Sequence, residues 1–341
     1  MTTLTSRAEF RVHSDTALLA FWRREMEEHG FDHWAVDGNT IAIHTPFGSA
    51  SIHTHDGRAR IDIQCNTVDD LIGVREAISH HLIEFDPRLS TVGWDQGSVH
   101  APALPNFSEA QVDRIDRLNA CYWRVRLALP DAIRFEGPGQ HFRLLRQRNA
   151  RRPAVWPTLG PRGIPHWPDA EDELIQTHYT VRAVDASRGH LHADVFEHPG
   201  GGTGQWLATD PLGQTVGLLG PGGGSVPSSG WLLLGGDETA VPALVRSLES
   251  LPASTEGIAF LVAPTKAAIQ AIDSPSRVDV RWLCRDRGAS LVAAVTAVDL
   301  APYPDAALWF AASYEERRAV RCHFRERVGL DRRRLTVVAF W

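Results

Sequence analysis

The chain lacks paired cysteines, a long apolar run and a surplus of basic charge, and each absence removes a class of protein. Its four cysteines, Cys65, Cys121, Cys284 and Cys322, are scattered with no Cys-x-x-Cys pair. That spacing points away from a zinc knuckle, an iron–sulfur cluster or a disulfide scaffold, and fits a reducing compartment. No apolar stretch reaches the ~20 residues a spanning helix needs, and the opening MTTLTSRAEFRVHSD holds no apolar signal core. The expectation is a cytoplasmic protein without integral membrane association. A net charge of −6 gives no global case for nucleic acid or an anionic membrane as partner. What is present is ordinary for a globular chain: 43% hydrophobic and 22% charged residues over 341 positions, enough for two or three domains with real cores.

Residues 1–90 read as a small α+β domain of unknown role. AEFRVHS is a strand. DTALLAFWRREMEEHG is a helix with Asp15 as cap, Leu18, Leu19 and Trp22 as apolar stripe and Gly30 as stop. Asp-Gly pairs at 37–38 and 56–57 mark turns between alternating runs. TVDDLIGVREAISHHLIEF is a second helix, capped by Thr67. Histidines crowd this segment: His29, His33, His44, His53, His55, His80 and His81. His53-x-His55 on a strand directs both rings to one face, as a metal pair requires, but spacing supplies no third ligand. Surface histidines are the plainer reading, and no metal is assigned.

Residues 91–117 read as a linker with a short helix over 108–118 (SEAQVDRIDRL). Residues 118–225 look all-β, with strands CYWRVRLAL, GQHFRLLRQ, THYTVRAVD, GHLHADVFEH and GQTVGLLG suggesting a barrel or sandwich. The long loop 146–172, rich in Trp and Pro, has the length of a functional segment. GPGGGSVPSSG (220–230) is a hinge. Residues 226–341 then alternate apolar strands (WLLLGG, GIAFLVA, VDVRWLC, ALWFAA, LTVVAFW) with helices at 238–250, 265–272, 289–298 and 314–328, the rhythm of a doubly wound parallel sheet.

These segments carry a resemblance. GGDETAVPALVRSLESLP (235–252), QHFRLL (140–145), HYTVR (178–182), DVFEH (194–198), VGLLGPGG (216–223) and RERVGLDRRRLTVVAFW (325–341) stand in an order that resembles the siderophore-interacting protein family. The likeness covers about residues 112–341. The first domain is similar to a small uncharacterised domain found beside such proteins, ending in HLIEF (81–85). The family resemblance implies a ferredoxin-reductase-like fold: an FAD-binding barrel at 118–225 and an NAD(P)H-binding α/β domain at 226–341. It implies electron flow from NADPH or NADH through FAD to Fe(III) in a siderophore, releasing Fe(II), which hard catecholate or hydroxamate oxygens hold more weakly.

The resemblance also distributes roles. Tyr179 would lie beside the flavin ring, Thr180 would offer a polar group near its redox-active nitrogen, and these two would be the catalytic residues. Arg182 would pair with phosphate. His141, Phe196 and His198 come in as cofactor-binding residues. In HPGGGTGQWLATDPLG (198–213) glycines let backbone approach a diphosphate, with Thr203, Gly204, Gln205 and Trp206 at a helix start. A flexible glycine loop is the alternative. Gly235, Gly236 and Thr239 fall at the end of a parallel strand, where dinucleotides bind. Asp237 and Glu238 join them, with helix capping as the alternative for both.

Some positions depart from the family pattern: Thr177 stands where arginine is usual, and Ala312 and Ser313 where Gly-Glu is usual. Phe340 stands where the family has the tyrosine of a Tyr-Trp pair, and Trp341 matches the tryptophan. Arg317, Arg318, Arg321, Arg325, Arg327 and Arg332–Arg334 could meet an anionic siderophore or a 2′-phosphate, or simply solvate a helix face; Lys266 is a separate 2′-phosphate candidate. Two other readings stay open. One is a non-catalytic siderophore-binding or scaffold protein with weakened flavin binding. The other is a flavin enzyme of another pathway.

Overall fold

The computed structural model describes residues 3–29, 32–45, 47–95, 104–137, 139–149, 152–198, 200–224, 226–227 and 229–341. Gly30 and the side chains of His29, His33 and Arg332 lie outside the described set. The chain packs as two compact units. One comprises residues 1–110, 137–178 and 215–224; the other comprises 111–136, 179–214 and 225–341.

The first unit opens with β1 (Leu4–Arg11), α1 (Asp15–His29), β2 (Asp32–Asp37), β3 (Thr40–Thr45), β4 (Gly48–His55), β5 (Arg58–Cys65) and α2 (Val68–Phe85). The strands form one antiparallel sheet in the order β1-β5-β4-β3-β2. Alternation builds it: Ile41, Ile43, Ile52, Ile61 and Ile63 are buried on one face with Leu18, Leu19 and Trp22 of α1 and Leu71 and Leu82 of α2. Each such side chain removed from water contributes about 1.5–3 kcal/mol. Asp56 and Gly57 both take left-handed φ (49° and 72°), which closes the β4–β5 hairpin in two residues. Thr67 caps α2 as expected, accepting the Asp70 N–H at 3.0 Å. The cap of α1 is Ser14, which accepts the Ala17 N–H, and not Asp15. Asp15 instead accepts the Gly57 N–H at 3.2 Å and ties the helix start to the hairpin.

Part of the expected linker belongs to this sheet. Trp94 is buried, bridges to Ala8 of β1 and donates its indole N–H to Ser79 at 2.9 Å. Residues 96–103 lie outside the described set. The helix expected over 108–118 is a strand, β6 (Phe107–Asn119). Ser108, Ala110 and Val112 are buried while Glu109, Gln111 and Asp113 are exposed, a period of two that pairing imposes on a segment with equally good helical spacing.

Next come β7 (Tyr122–Ala128), β8 (His141–Gln147), β9 (Thr158–Leu159), β10 (Pro165–His166), β11 (Leu174–Thr180), β12 (Ala183–Asp185), β13 (His190–Phe196), α3 (Gly202–Leu207) and β14 (Thr215–Gly222). Within the first unit β8 lies between β11 and β14, and β14 neighbours the start of β6. Ile72 of α2 is buried with Leu104, Leu145, Leu174 and Leu219, so the second helix of the N-terminal segment sits on these strands. The 146–172 loop folds back through the β9–β10 hairpin, with Trp156 against Phe107 (centroids 5.4 Å apart). Within the second unit the order is β6-β7-β13-β12.

The chain ends with β15 (Trp231–Gly236), α4 (Val241–Ser250), β16 (Glu256–Ala263), β17 (Arg277–Cys284), α5 (Leu291–Thr296), β18 (Ala307–Ala312), α6 (Tyr314–Cys322) and β19 (Leu335–Ala339). The strands are parallel in the order β17-β16-β15-β18-β19. Leu232 and Leu234 face one apolar layer and Leu233 the other, as expected of a sheet covered on both sides. The helix expected at 265–272 is only one 3₁₀ turn, Lys266–Ala268, because Ala268 alone in that turn is buried and no apolar stripe supports more. The helix expected from 314 to 328 closes at Cys322 and continues as a wider π turn over His323–Arg327. No described helix is long and apolar enough to cross a membrane.

Candidate functional site

In an open parallel sheet the ligand crevice lies beyond the carboxyl ends of the strands where the order reverses. Here that is between β15 and β18, so residues 236–239 and 312–314 define the place. The space beside Gly235 and Gly236 is filled by neighbouring side chains. A methyl group on Gly235 would come within 2.8 Å of Phe310 and 2.9 Å of Val295; one on Gly236 would come within 2.7 Å of Leu244. These glycines let helices pack tightly on the strand.

The turn that follows is built around two acids. Asp237 Oδ1 accepts the Thr239 N–H (2.9 Å), the Thr239 hydroxyl (2.6 Å) and the Ala240 N–H (3.2 Å), which orders the entry to α4. Its Oδ2 accepts the indole N–H of Trp341 at 2.7 Å. Burial raises the Asp237 pKa, against the pull of those hydrogen bonds. Glu238 makes a bidentate pair with Arg285 at 2.7 and 3.0 Å. The chain end is held from a second side, where the Tyr314 N–H donates to the Trp341 carbonyl and the Phe340 N–H to the Ala312 carbonyl. Phe340 and Trp341 are 42% and 68% exposed, a fixed aromatic surface at the carboxyl edge. Ala311 and Ala312 are buried, and Ser313 caps α6 by accepting the Glu316 N–H.

The antiparallel strands of the same unit carry most of the other expected residues. Tyr179 is half-buried and Thr180 buried at the end of β11. Phe196 and His198 stack, with centroids 6.2 Å apart. Thr203 and Gly204 are buried in α3 and Gln205 is exposed, while Trp206 donates to Gln214 at 3.0 Å. Gly200 and Gly202 have open space where a side chain would stand. Arg182 is engaged: its guanidinium is bidentate to Glu249 (2.7 and 2.8 Å) and lies 3.6 Å from Asp194, which itself pairs with Arg124 through two 2.7 Å bonds.

One residue that sequence reasoning passed over joins these parts. Tyr122 packs its ring on Phe196 (5.4 Å) and donates its hydroxyl to the Glu238 carbonyl at 2.6 Å. Burial drives its pKa well up, so it stays a donor. Its only sequence signal is a tyrosine at a buried strand position, which does not distinguish it from core.

His141 lies in the first unit. Its ring meets His178 edge-on at 5.8 Å, and burial pushes its pKa down while Asp69 opposes. His178 keeps solvent contact as a residue, yet its ring is desolvated beside His141 and Arg143 and is held down to about 4. Asp69 is fixed by Asn106 at 2.6 Å, and a methyl group on Gly222 would come within 2.2 Å of it. Asp70 accepts the Gly223 N–H at 3.0 Å. Burial pushes Asp70 up to about 6. A raised carboxyl pKa means the folded state binds the proton more tightly, so the group favours folding below pH ~4 and opposes it as pH rises through about 6. Asp70→Asn is therefore expected to gain stability relative to the parent between pH ~4 and ~7, by up to about 3 kcal/mol. Urea melts across that range check it, and a constant difference between the two proteins would refute the buried charge.

Of the remaining expectations, His53 and His55 do not converge on a metal position: His53 Nδ1 bonds Thr40 Oγ1 at 2.8 Å, while exposed His55 faces Asp56. Arg333 pairs with Asp331, and the Arg317 guanidinium lies over Tyr314 at 5.0 Å.

An antiparallel layer followed by a parallel sheet of this order is the ferredoxin-reductase-like fold. Residues 111–225 match the siderophore-interacting FAD-binding domain and residues 229–341 the siderophore-interacting protein domain, and over these residues the chain belongs to the siderophore-interacting protein family. An uncharacterised protein of Mycobacterium tuberculosis is 37% identical over 142 residues, 41% of this chain and 50% of that protein. The chain thus spans about half the length of that curated relative. The ferric vibriobactin reductase ViuB of Vibrio cholerae is 29% identical over 185 residues, 51% of this chain and 66% of that protein. Among solved structures, a siderophore utilization protein from T. fusca is 26% identical with a TM-score of 0.57, covering 71% of this chain and 94% of that one.

Proposed function

We propose that the chain is a flavin-dependent oxidoreductase that takes electrons from NADPH or NADH and delivers them to Fe(III) in a siderophore. The observation that carries this reading is the succession of the two family domains in one chain, together with the residues each sets out. Tyr179, Thr180, Phe196 and His198 supply aromatic and polar surface, and Gly200 and Gly202 leave room for a diphosphate beside backbone. These residues fit FAD. When bound, it accepts a hydride and passes on single electrons. Tyr122 and Asp237 hold the aromatic strand end and the Trp341 indole in place, so that the reacting partners are positioned rather than activated by a base. The relative named for ferric vibriobactin reduction supports the iron chemistry.

A second reading has one observation in its favour. Arg182, the expected phosphate partner, is already bound by Glu249 and Asp194. A siderophore-binding protein with weak flavin retention would show this arrangement. The visible spectrum separates the two: the reductase is expected to purify yellow or turn yellow on adding FAD, to bleach with NADPH or NADH, and to regain colour anaerobically on adding a ferric chelate. A protein that stays colourless with added FAD would exclude the reductase.

A further inference from the structure

We propose that Glu25, His81 and Glu84 form a binding site for one divalent transition-metal ion on the two N-terminal helices. Glu25 comes from α1; His81 and Glu84 come from α2, where a separation of three residues puts them on one face. Glu84 Oε2 lies 2.8 Å and Glu25 Oε2 3.4 Å from the same atom, His81 Nδ1. The potential ligand atoms all lie within 4.8 Å of one another. A metal bound at about 2.0–2.2 Å by N and O donors needs those donors about 3–3.5 Å apart, so the set closes on an ion by side-chain rotation alone.

The surroundings have the form of a metal site rather than of a surface ion pair. Burial is graded: Glu25 is 8% exposed as a residue, the His81 side chain 17% and the Glu84 side chain 48%. The inner end is closed and the outer end faces water, which leaves an entry path and room for water ligands. The second oxygen of each carboxylate is oriented from outside. Arg24 donates to Glu25 Oε1 at 3.2 Å, and His80 Nε2 lies 3.3 Å from Glu84 Oε1. Trp22 meets the His81 ring edge-on at 5.7 Å, giving the cluster an apolar wall. The buried indole N–H of Trp22 has no hydrogen-bond partner among the described residues, an unsatisfied donor in contact with the cluster. Two carboxylates converge on one imidazole nitrogen, the donor set of a divalent-ion site.

One imidazole nitrogen with two carboxylates suits Mn(II), Fe(II), Co(II) or Zn(II). All-oxygen sites favour Ca(II) or Mg(II), and thiolates favour Cu(I). Fe(II), the product in the proposed reaction, falls in the accepted class, but the site stands on its own geometry and is tested without flavin or pyridine nucleotide. Its failure and that of the reductase reading are therefore separate results.

The test is titration of the tag-free 341-residue chain with Co(II) and Zn(II) at neutral pH, by calorimetry and by the d–d absorbance of bound cobalt. One equivalent is expected to bind. His81→Ala and Glu25→Gln should each weaken binding by more than about 100-fold, beyond the 10–100-fold typical of outer-shell changes, and His80→Ala by about tenfold. Zn(II) should raise the melting temperature of the parent and leave that of exposed-site variant Glu84→Gln nearly unmoved. Absence of a bound equivalent in the parent, or binding unchanged in both Glu25→Gln and Glu84→Gln, would overturn the site and leave His81 as a hydrogen-bonded bridge between two glutamates.

Discussion

Alanine at Tyr179 is expected to lower flavin affinity by about 10- to 100-fold while leaving the melting transition nearly unchanged. The ring is half-buried at the strand end, so its loss opens no sealed core cavity. An aromatic ring against a flat heterocycle contributes about 0.5–1.5 kcal/mol beyond area burial, and the burial itself adds about as much again. Each 1.4 kcal/mol is a factor of ten in affinity. Tyr179→Phe keeps the ring and should retain most of the affinity, and NADPH-driven reduction of a ferric chelate should follow retention in both variants. Flavin uptake by Tyr179→Ala equal to that of the parent would remove Tyr179 from the cofactor surface and favour the binding-protein reading.

Asp194→Ala should be the most destabilising of the changes considered, by about 3–5 kcal/mol. Its side chain is 1% exposed and stands between two guanidiniums, Arg124 at 2.7 Å and Arg182 at 3.6 Å. Removing it leaves Arg124 without its bidentate partner and brings two like charges together in a partly buried place. Arg182 retains Glu249, so the loss should fall mainly on Arg124 and on β13, the strand that presents Phe196. Asp194→Asn keeps one acceptor and should cost less. Replacing Arg124 and Asp194 together by leucine should recover much of the loss, because no unpaired charge then remains. Urea unfolding of the single and double variants decides the matter. A single variant that unfolds with the parent would mean water screens the pair and that it does not position the strand.

Much of the architecture was legible in residue order. The stripe Leu18–Leu19–Trp22, the Thr67 cap and the Asp-Gly turns each encode local geometry within a few residues, and α1, α2 and the hairpins appear where those signals stand. WLLLGG, GIAFLVA and ALWFAA are apolar on both faces, and a strand with two covered faces belongs to a parallel sheet. The same logic failed where a segment carries two patterns at once. SEAQVDRIDRL satisfies helical spacing and strand alternation alike, and pairing with β7 settles it as β6. Lys266–Ile272 has helix-forming residues but too little apolar surface to fold against, so one turn is all it forms.

The chemistry divides the same way. By itself the sequence determined the family, the parallel sheet and the turn after β15, because these rest on short-range patterns and ordered motifs. Only the tertiary structure decided what the charged groups do. Asp237 latches Trp341 across 104 positions, and Glu249 claims Arg182 across 67. Glu25 meets His81 only when α1 and α2 settle on one sheet. Ion pairs and metal donors are chosen by distance in space, and packing that buries apolar faces sets those distances without leaving a mark in local residue order.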